Sequence, residues 1–366
     1  MRTMLHADHI GSLLRPRELL EAWDANLAGV VPSDELERIE DEAILRALEM
    51  QREAGLRIFS DGEYRRAWFS SAMQSAVDGI VEDADPRIDH RAFWHGEHAS
   101  EAAATANKYR IGQHKAVARL RARDRLAKRE ADFLREHAPG PFKVTLTGPT
   151  HYVFLWYRPG AADAYPTPHD MLADLTEITR AEVAALVAEG VDYVQLDSLR
   201  YVIGAADARD GSMDDAMLAA DNAVLAPARE AGVTTALHMC RGNNRSAWST
   251  GQRYEEGAEK ALRELAVDRL LLEYDTDRAG SFEALRFVPE STAVVLGLVS
   301  TKLPELESAD ELKRRIEEAS KYVDLDRLAI SPQCGFASTI EGNLLSWDDQ
   351  RRKLELVTAV AADVWG

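Results

Sequence analysis

The feature that most constrains the fold is a regular alternation of short apolar runs with longer amphipathic segments. Each apolar run is rich in Val, Leu and Ile and ends in a polar residue. The predicted strands are residues 5–12, 56–63, 142–149, 193–198, 234–240, 270–275, 293–301 and 328–334. Strands that alternate with helices form parallel sheets. Eight such units favour a closed (β/α)8 TIM barrel over an open α/β sheet.

The predicted helices follow most of these strands. They are residues 34–55, 113–137, 170–190, 214–232, 255–266, 281–287, 309–323 and 346–365. A length of 366 residues admits either two domains or one large barrel. We interpret residues 1–366 as a single (β/α)8 barrel domain. Residues 64–141 are too long for one connection, so we interpret them as a helical excursion after the second strand.

Composition excludes several classes of function. The formal net charge of −18 argues against binding a nucleic-acid backbone. No apolar run is long enough to span a membrane and the first residues lack an apolar signal core, so we expect a cytoplasmic protein. Two cysteines do not make a disulfide scaffold. No glycine-rich nucleotide-binding motif follows a strand.

Polar and ligating residues collect at the ends of the predicted strands. The strand ends carry Ser12, Glu63, Thr147, Asp197, His238, Cys240, Glu273, Asp275, Ser300 and Cys334. The active sites of (β/α)8 barrels are built from the C-terminal ends of the strands. His238 and Cys240 are two residues apart, so an extended strand presents both side chains on one face.

Four of these residues form a candidate metal site. Thiolate, imidazole and carboxylate are zinc ligands, and His238, Cys240, Glu273 and Cys334 supply all three types from three strand ends. The alternative is that the cysteines only pack in the core. A thiolate-rich zinc site suits the deprotonation of an incoming thiol, which then attacks a carbon electrophile.

The other candidate ligands are weaker. Asp275 is interpreted as lying outside the ligand set. His9 either faces the barrel mouth with Ser12 or is a structural histidine. His90, His95 and His98 fall in the excursion, where we expect surface or lid positions.

Several motifs resemble those of the cobalamin-independent methionine synthases. The ligand motifs are His238-Met239-Cys240, Glu273 within Leu271-Leu272-Glu273-Tyr274, and Cys334 within Ser331-Pro332-Gln333-Cys334-Gly335. The substrate motifs are Asp8-His9-Ile10-Gly11-Ser12, Asp61-Gly62-Glu63 and Gln195-Leu196-Asp197. The resemblance implies a zinc cofactor, and it implies that Ser12, Glu63 and Asp197 contact an amino-acid substrate. Glu63 and Asp197 are also the predicted catalytic residues.

The chain departs from that family in two ways. Full-length folate-dependent synthases are double barrels, whereas this sequence has length for one. The family places a histidine on the seventh strand, proposed as the acid that assists departure of the methyl donor. Here Val299 or Ser300 falls at that position, so the identity of the donor is left open.

We therefore expect a zinc-dependent thiol methyltransferase that converts homocysteine to methionine. One alternative is an epoxyalkane:coenzyme M transferase, for whose sulfonate Arg65, Arg66 or Arg200 would be needed. A second is a non-catalytic zinc- or thiol-binding protein. The expected partners are a small thiol and an alkyl donor, with no nucleic acid and no membrane; homo-oligomerisation is left open.

Overall fold

The structure, a computed structural model, describes residues 4–83, 89–158, 161–202 and 212–366. Its strands are β1 Val77–Glu82, β2 His114–Ala122, β3 Lys143–Thr147, β4 Tyr193–Ser198, β5 Thr234–Met239, β6 Arg269–Glu273, β7 Ala293–Val299 and β8 Leu328–Pro332. Its α-helices are α1 Arg17–Leu27, α2 Ser33–Glu53, α3 Ser71–Ala76, α4 His90–Phe93, α5 Ala99–Lys108, α6 Lys128–His137, α7 Pro149–Trp156, α8 Pro168–Ala188, α9 Ser212–Glu230, α10 Glu259–Glu264, α11 Ala309–Ala319 and α12 Trp347–Trp365. Within these ranges, no helix is both long enough and apolar enough to cross a membrane.

Strands β3 to β8 form a six-stranded parallel sheet in which each strand pairs with the next one along the chain. Their side chains are almost entirely buried, because helices cover the outer face of the sheet. The register sets Asp197 beside His238 and Glu273 beside Gly297. The C-terminal strand ends therefore meet at one edge.

Two extended segments close this sheet into a ring, as predicted. In the first segment, residues 5–12, Ala7 pairs in parallel with Ile330 of β8. In the second segment, residues 56–63, Phe59 pairs in parallel with Phe142 beside β3. The two segments join each other where the Leu13 amide donates to the Gly62 carbonyl at 3.0 Å. The predicted (β/α)8 barrel is confirmed.

The barrel interior is apolar except for one buried ionic cluster. Its apolar residues come from the two closing segments and from β4 to β8: Ile10, Ile58, Tyr193, Ala236, Leu271, Val295 and Ala329. From β3, Lys143 donates to Asp8 Oδ1 at 2.8 Å, and Arg269 of β6 contacts Asp8 Oδ2 at 3.2 Å. Burial alone would raise the pKa of Asp8, but the charges of Lys143 and Arg269 lower it to about 2.

The excursion, residues 64–141, is only partly helical. It contains α3 to α6 and an antiparallel hairpin of β1 with β2. The predicted helix over residues 113–137 is wrong in its first half, where residues 114–122 form β2, and correct at α6. The exposed face of β2 carries many charged residues, a composition that is also typical of a surface helix. The buried residues of β2 pack against α7 and α8. The extent of a single domain over residues 1–366 stays a prediction.

Replacing Lys143 by Met should destabilise the barrel. The change leaves the Asp8 carboxylate buried with Arg269 as its remaining cation, and removing one partner of a buried ion pair costs about 3 kcal/mol or more. Chemical denaturation followed by circular dichroism measures the change. Lys128→Met is the matched control, because Lys128 pairs with Asp132 on the exposed surface of α6. Equal midpoints for the two variants would contradict the role given to Lys143.

Candidate active site

Three neighbouring strands bring the predicted metal ligands together. His238 lies in β5 and Cys240 follows that strand, Glu273 ends β6, and Cys334 lies two residues after β8. All four side chains are buried, and their ligand atoms lie within 4.8 Å of one another. The two sulfur atoms are 3.6 Å apart. The strand register thus assembles a group of four residues that could hold a metal ion.

The geometry of this group fits a tetrahedral cation. Two sulfur ligands bonded at ~2.3 Å to one tetrahedral ion lie about 3.8 Å apart, close to the separation of Cys240 and Cys334. His238 Nδ1 is 3.2 Å from the Leu271 carbonyl oxygen, as in a metal-binding histidine whose other nitrogen is oriented by the backbone. His238 Nε2 is buried, and it has no hydrogen-bond partner among the residues that the structure describes. A metal ion would give this nitrogen the partner that it lacks.

The pKa shifts within the candidate metal group indicate that its buried side chains favour a bound positive charge. Burial alone would lower the pKa of His238, but Cys334, Asp197 and Glu273 raise it to about 9. The hydrogen bond from Cys240 lowers the pKa of Cys334 well below its usual value, although burial opposes this effect. A bound metal cation would compete with the protons on His238 and Cys240, because metal ligands must be deprotonated.

The predicted substrate residues open onto the same small cavity as three of the ligands. The cavity has a volume of about 50 Å³ and is lined by Ile10, Ser12, Glu63, Phe69, Trp94, Asp197, Leu199, His238, Cys240, Asn243, Cys334, Gly335 and Ser338. Ser12, Glu63 and Asp197 are all present in this lining. Glu273 lies behind it, where its Oε1 accepts a hydrogen bond from the Arg241 amide at 2.6 Å.

Each cavity carboxylate accepts a hydrogen bond from a neutral donor, and Glu63 also forms a buried ion pair with Arg66, whose Nη1 lies 3.7 Å from Glu63 Oε1. Glu63 has a left-handed φ of 59°, and its Oε1 accepts from Thr145 Oγ1 at 2.7 Å. Asp197 Oδ1 accepts from Gln195 Nε2 at 2.8 Å. Burial raises the pKa of Asp197 to about 7, opposed by His238 and aided by Glu63. Two buried carboxylates in one cavity provide a site for a cationic group such as an ammonium.

Sequence reasoning missed the part of the cavity wall that lies in the excursion. Phe69 and Trp94 line the cavity, yet the polar and irregular sequence around them gave no periodic signal. The interpretation of His90 as a surface or lid residue is wrong. Its ring is buried, and Nε2 is 2.9 Å from the Ile111 carbonyl oxygen. The exposed His95 instead packs against Trp248 near the mouth of the barrel.

The arginines considered for a sulfonate do not line this cavity. Arg65 pairs with Asp41, and Arg66 pairs with Glu130. Arg200 stacks on the Phe154 ring with its guanidinium carbon 3.9 Å from the ring centroid. The cavity wall in the described residues therefore offers carboxylates and no guanidinium.

The end of β7 carries no histidine. Val299 is fully buried, and Ser300 Oγ accepts from the Lys302 amide at 3.2 Å. Neither side chain can serve as a proton donor like an imidazole at neutral pH.

Comparisons with a protein-family model and with curated proteins cover nearly the whole chain. Residues 7–362 match the family model described as "Cobalamin-independent synthase, Catalytic domain". The uncharacterised protein YxjH of Bacillus subtilis is 34% identical, with 98% of this chain and 94% of that protein covered. A methionine synthase of Pyrococcus abyssi is 23% identical over 89% of this chain and 84% of its own length.

Solved structures show the same fold. A B12-independent methionine synthase from Shewanella sp. W3-18-1, in complex with selenomethionine, has a TM-score of 0.75 at 21% identity and covers 99% of this chain and 98% of its own. A putative B12-independent methionine synthase from Listeria monocytogenes has a TM-score of 0.73 at 24% identity, covering 100% of this chain and 99% of its own.

The two cysteines should form an internal disulfide when metal-depleted protein is oxidised with diamide. Their sulfur atoms are 3.6 Å apart, and both side chains are free thiols. We expect the loss of two thiols per chain and a mass lower by two hydrogen atoms, without dimer formation. Cys240→Ser is the control that should keep Cys334 titratable after denaturation. Retention of both thiols in the unsubstituted protein would show that they do not meet.

Proposed function

The chain belongs to the family of cobalamin-independent synthase catalytic domains, and on that premise we propose that it is a zinc-dependent methyltransferase that methylates homocysteine to methionine. The observation that carries the proposal is the combination found in one cavity. A thiolate-rich group that fits a metal lies beside two buried carboxylates that fit the ammonium of an amino acid. The first feature supports a thiol as substrate, and the second supports an α-amino acid.

His238, Cys240, Glu273 and Cys334 would hold the zinc ion. When bound, zinc favours the thiolate form of a thiol and so makes its sulfur nucleophilic at neutral pH. The chain itself orients the ligands, because the Leu271 carbonyl holds His238 and the Arg241 amide holds Glu273.

Glu63 and Asp197 would bind the ammonium group of homocysteine. Each carboxylate is already oriented by one neutral donor, so it keeps oxygen lone pairs for the substrate. An ammonium would also lower the free energy of two carboxylates that otherwise share a buried cavity. Ser12, which lines the same cavity, would contact the other end of the amino acid. These contacts leave the thiol pointing towards the cysteines.

In the reaction, the sulfur of homocysteine forms a bond to the methyl carbon as the bond between methyl and donor breaks. The thiol proton is released to solvent water, and the electron pair of the broken bond stays with the donor. Because Val299 or Ser300 stands where the family has a histidine, the end of β7 supplies no imidazole acid to protonate the departing group. The proposed donor is therefore one whose leaving group departs without that proton.

The same cavity argues against opening of an epoxide by coenzyme M. The sulfonate of that thiol would face Glu63 and Asp197, and no arginine lines the wall in the described residues. Like charges in a buried site repel strongly. We therefore expect homocysteine, and not coenzyme M, to bind in calorimetric titrations of the zinc-loaded protein.

Asp197→Asn and Glu63→Gln should each weaken homocysteine binding roughly 10- to 100-fold, because each removes a charged partner of the ammonium. The control ligand is 4-mercaptobutanoate, which lacks only the amino group and should bind all three proteins equally. Dissociation constants from calorimetry test this. Equal losses for both ligands would refute the assignment of these carboxylates to the ammonium.

Glu273→Gln should weaken zinc binding at least tenfold, measured by competition with a chromophoric chelator. Asp275→Asn is the matched control, because Asp275 is a second acidic residue at the same strand end but lies outside the ligand group. If the unsubstituted protein binds no stoichiometric zinc, the proposed function fails. If it binds zinc and homocysteine but transfers no methyl group from any donor, a non-catalytic zinc protein is the better description.

The donor can be tested by comparing leaving groups. A sulfonium such as S-methylmethionine leaves as a neutral thioether, whereas N5-methyltetrahydrofolate leaves as a poor anion unless it is protonated. Loss of a general acid costs on the order of 10²- to 10⁴-fold for a poor leaving group. We expect faster methionine formation from the sulfonium at equal concentrations. Faster transfer from the folate would show that another group supplies the proton.

A further inference from the structure

Lys302 is a buried cation without an anionic partner of its own. Three lysines are buried among the described residues, namely Lys143, Lys302 and Lys353. Lys143 pairs with Asp8, and Lys353 pairs with Glu307. By contrast, the ammonium of Lys302 donates to the neutral Asn243 Oδ1 at 2.8 Å and pairs with no carboxylate in the part of the chain that the structure describes. A buried ammonium is costly unless a negative charge lies near it.

The negative charge near Lys302 is that of the candidate metal group. Asn243, the acceptor for Lys302, lines the cavity together with Cys240 and Cys334. Asn243 Nδ2 also donates to the carbonyl of Gly335, the residue after Cys334, at 2.6 Å. The Lys302 ammonium therefore lies one residue behind the cavity wall.

A second path of hydrogen bonds connects the end of β7 to Glu273, another member of the candidate metal group. Thr301 Oγ1 donates to Gln333 Oε1 at 2.8 Å, and Gln333 Nε2 lies 3.4 Å from Glu273 Oε2. These contacts fix the position of the chain at Lys302.

Counting charges shows what such a cation can do. Two thiolates and one carboxylate carry one more negative charge than a divalent metal ion neutralises. A second anion, such as a substrate thiolate, is repelled by a centre with a net negative charge. One fixed cation beside the centre brings its total to zero. The reaction product is a neutral thioether, which gains little from the same cation.

We propose that Lys302 is a positioning residue, an inference that rests on the function proposed above. Its fixed charge makes the site prefer the anionic sulfur of the thiol substrate over the neutral sulfur of the thioether product. It acts through the field that it imposes on the cavity and not by contact with the reacting atoms. This preference for the anionic sulfur favours binding of the substrate and release of the product. The remaining contacts of the site, to the amino and carboxyl groups, are the same for substrate and product.

The test compares binding of homocysteine and methionine to zinc-loaded Lys302→Met, which keeps the length of the side chain and removes its charge. We expect homocysteine binding to weaken about tenfold or more at neutral pH. This is the effect of one unit charge on a thiolate that lies on the order of 10 Å away, with an effective dielectric constant of ~20. Methionine binding should change by less than about twofold. Lys302→Arg, which keeps the charge, should restore most of the preference for homocysteine.

Two controls separate this role from others. Lys321→Met removes an exposed charge outside the ligand group and should change neither affinity. Asn243→Ala removes the hydrogen bond to Lys302 while leaving the ammonium in place. If it reproduces the selective loss of homocysteine binding seen in Lys302→Met, Lys302 acts by holding Asn243 and the proposal is wrong.

The remaining outcomes are also decisive. If Lys302→Met weakens homocysteine and methionine equally, Lys302 binds the carboxylate that both ligands carry, and the proposal is wrong. If it weakens neither, the charge is irrelevant to the acceptor, and the proposal is again wrong. The proposed function is judged separately, by whether the unsubstituted protein binds zinc and homocysteine.

Discussion

The buried ionic cluster around Asp8 is the interaction on which the geometry of the site depends. The first closing segment pairs with β8 through few backbone hydrogen bonds, so ladder pairing alone holds it weakly. Asp8 adds contacts to Lys143 on β3, to Arg269 on β6 and to the Tyr193 hydroxyl on β4. The low pKa of Asp8 shows that these cations more than offset the desolvation of its carboxylate. Closure of the ring places Ser12 and Glu63 opposite the metal group.

The rim of the barrel differs from its interior because it gathers more acidic groups in one place, although Arg66 lies 3.7 Å from Glu63 and compensates part of that charge. In the interior, Asp8 has two cations. At the rim, Glu63, Asp197 and the metal group crowd several acidic groups into one small cavity, and burial raises the pKa of both carboxylates. In such a site, a metal ion and an ammonium would relieve the repulsion between the acidic groups on binding. The same physical cause would therefore underlie both parts of the proposed function, zinc binding and selectivity towards an amino acid.

The sequence was sufficient for features that depend on local pattern. Apolar runs predicted the barrel strands, and the two-residue spacing of His238 and Cys240 predicted a shared strand face that the register then joined to Glu273 and Cys334. Features that depend on tertiary pairing could not be predicted. Residues 114–122 become a strand because β1 lies beside them, and Trp94 reaches the cavity only because the excursion folds back over the barrel. The position of Lys302 behind the cavity wall likewise depends on tertiary packing and could not be predicted from the spacing of residues in the sequence.

The excursion completes the wall of the cavity, to which it contributes Phe69 and Trp94. Asn244, in the turn after β5, donates through Nδ2 to the Ala102 carbonyl of α5 at 2.9 Å. Thr105 of α5 donates to Glu341, beyond β8, at 2.8 Å. These contacts fasten the excursion to the two loops that carry the cysteines, and Trp94 lines the cavity between them. Side chains around a cavity lower its effective dielectric constant and so strengthen charge interactions inside it. The excursion therefore contributes to the electrostatic environment of the candidate ligands and the carboxylates, even though it supplies none of those groups.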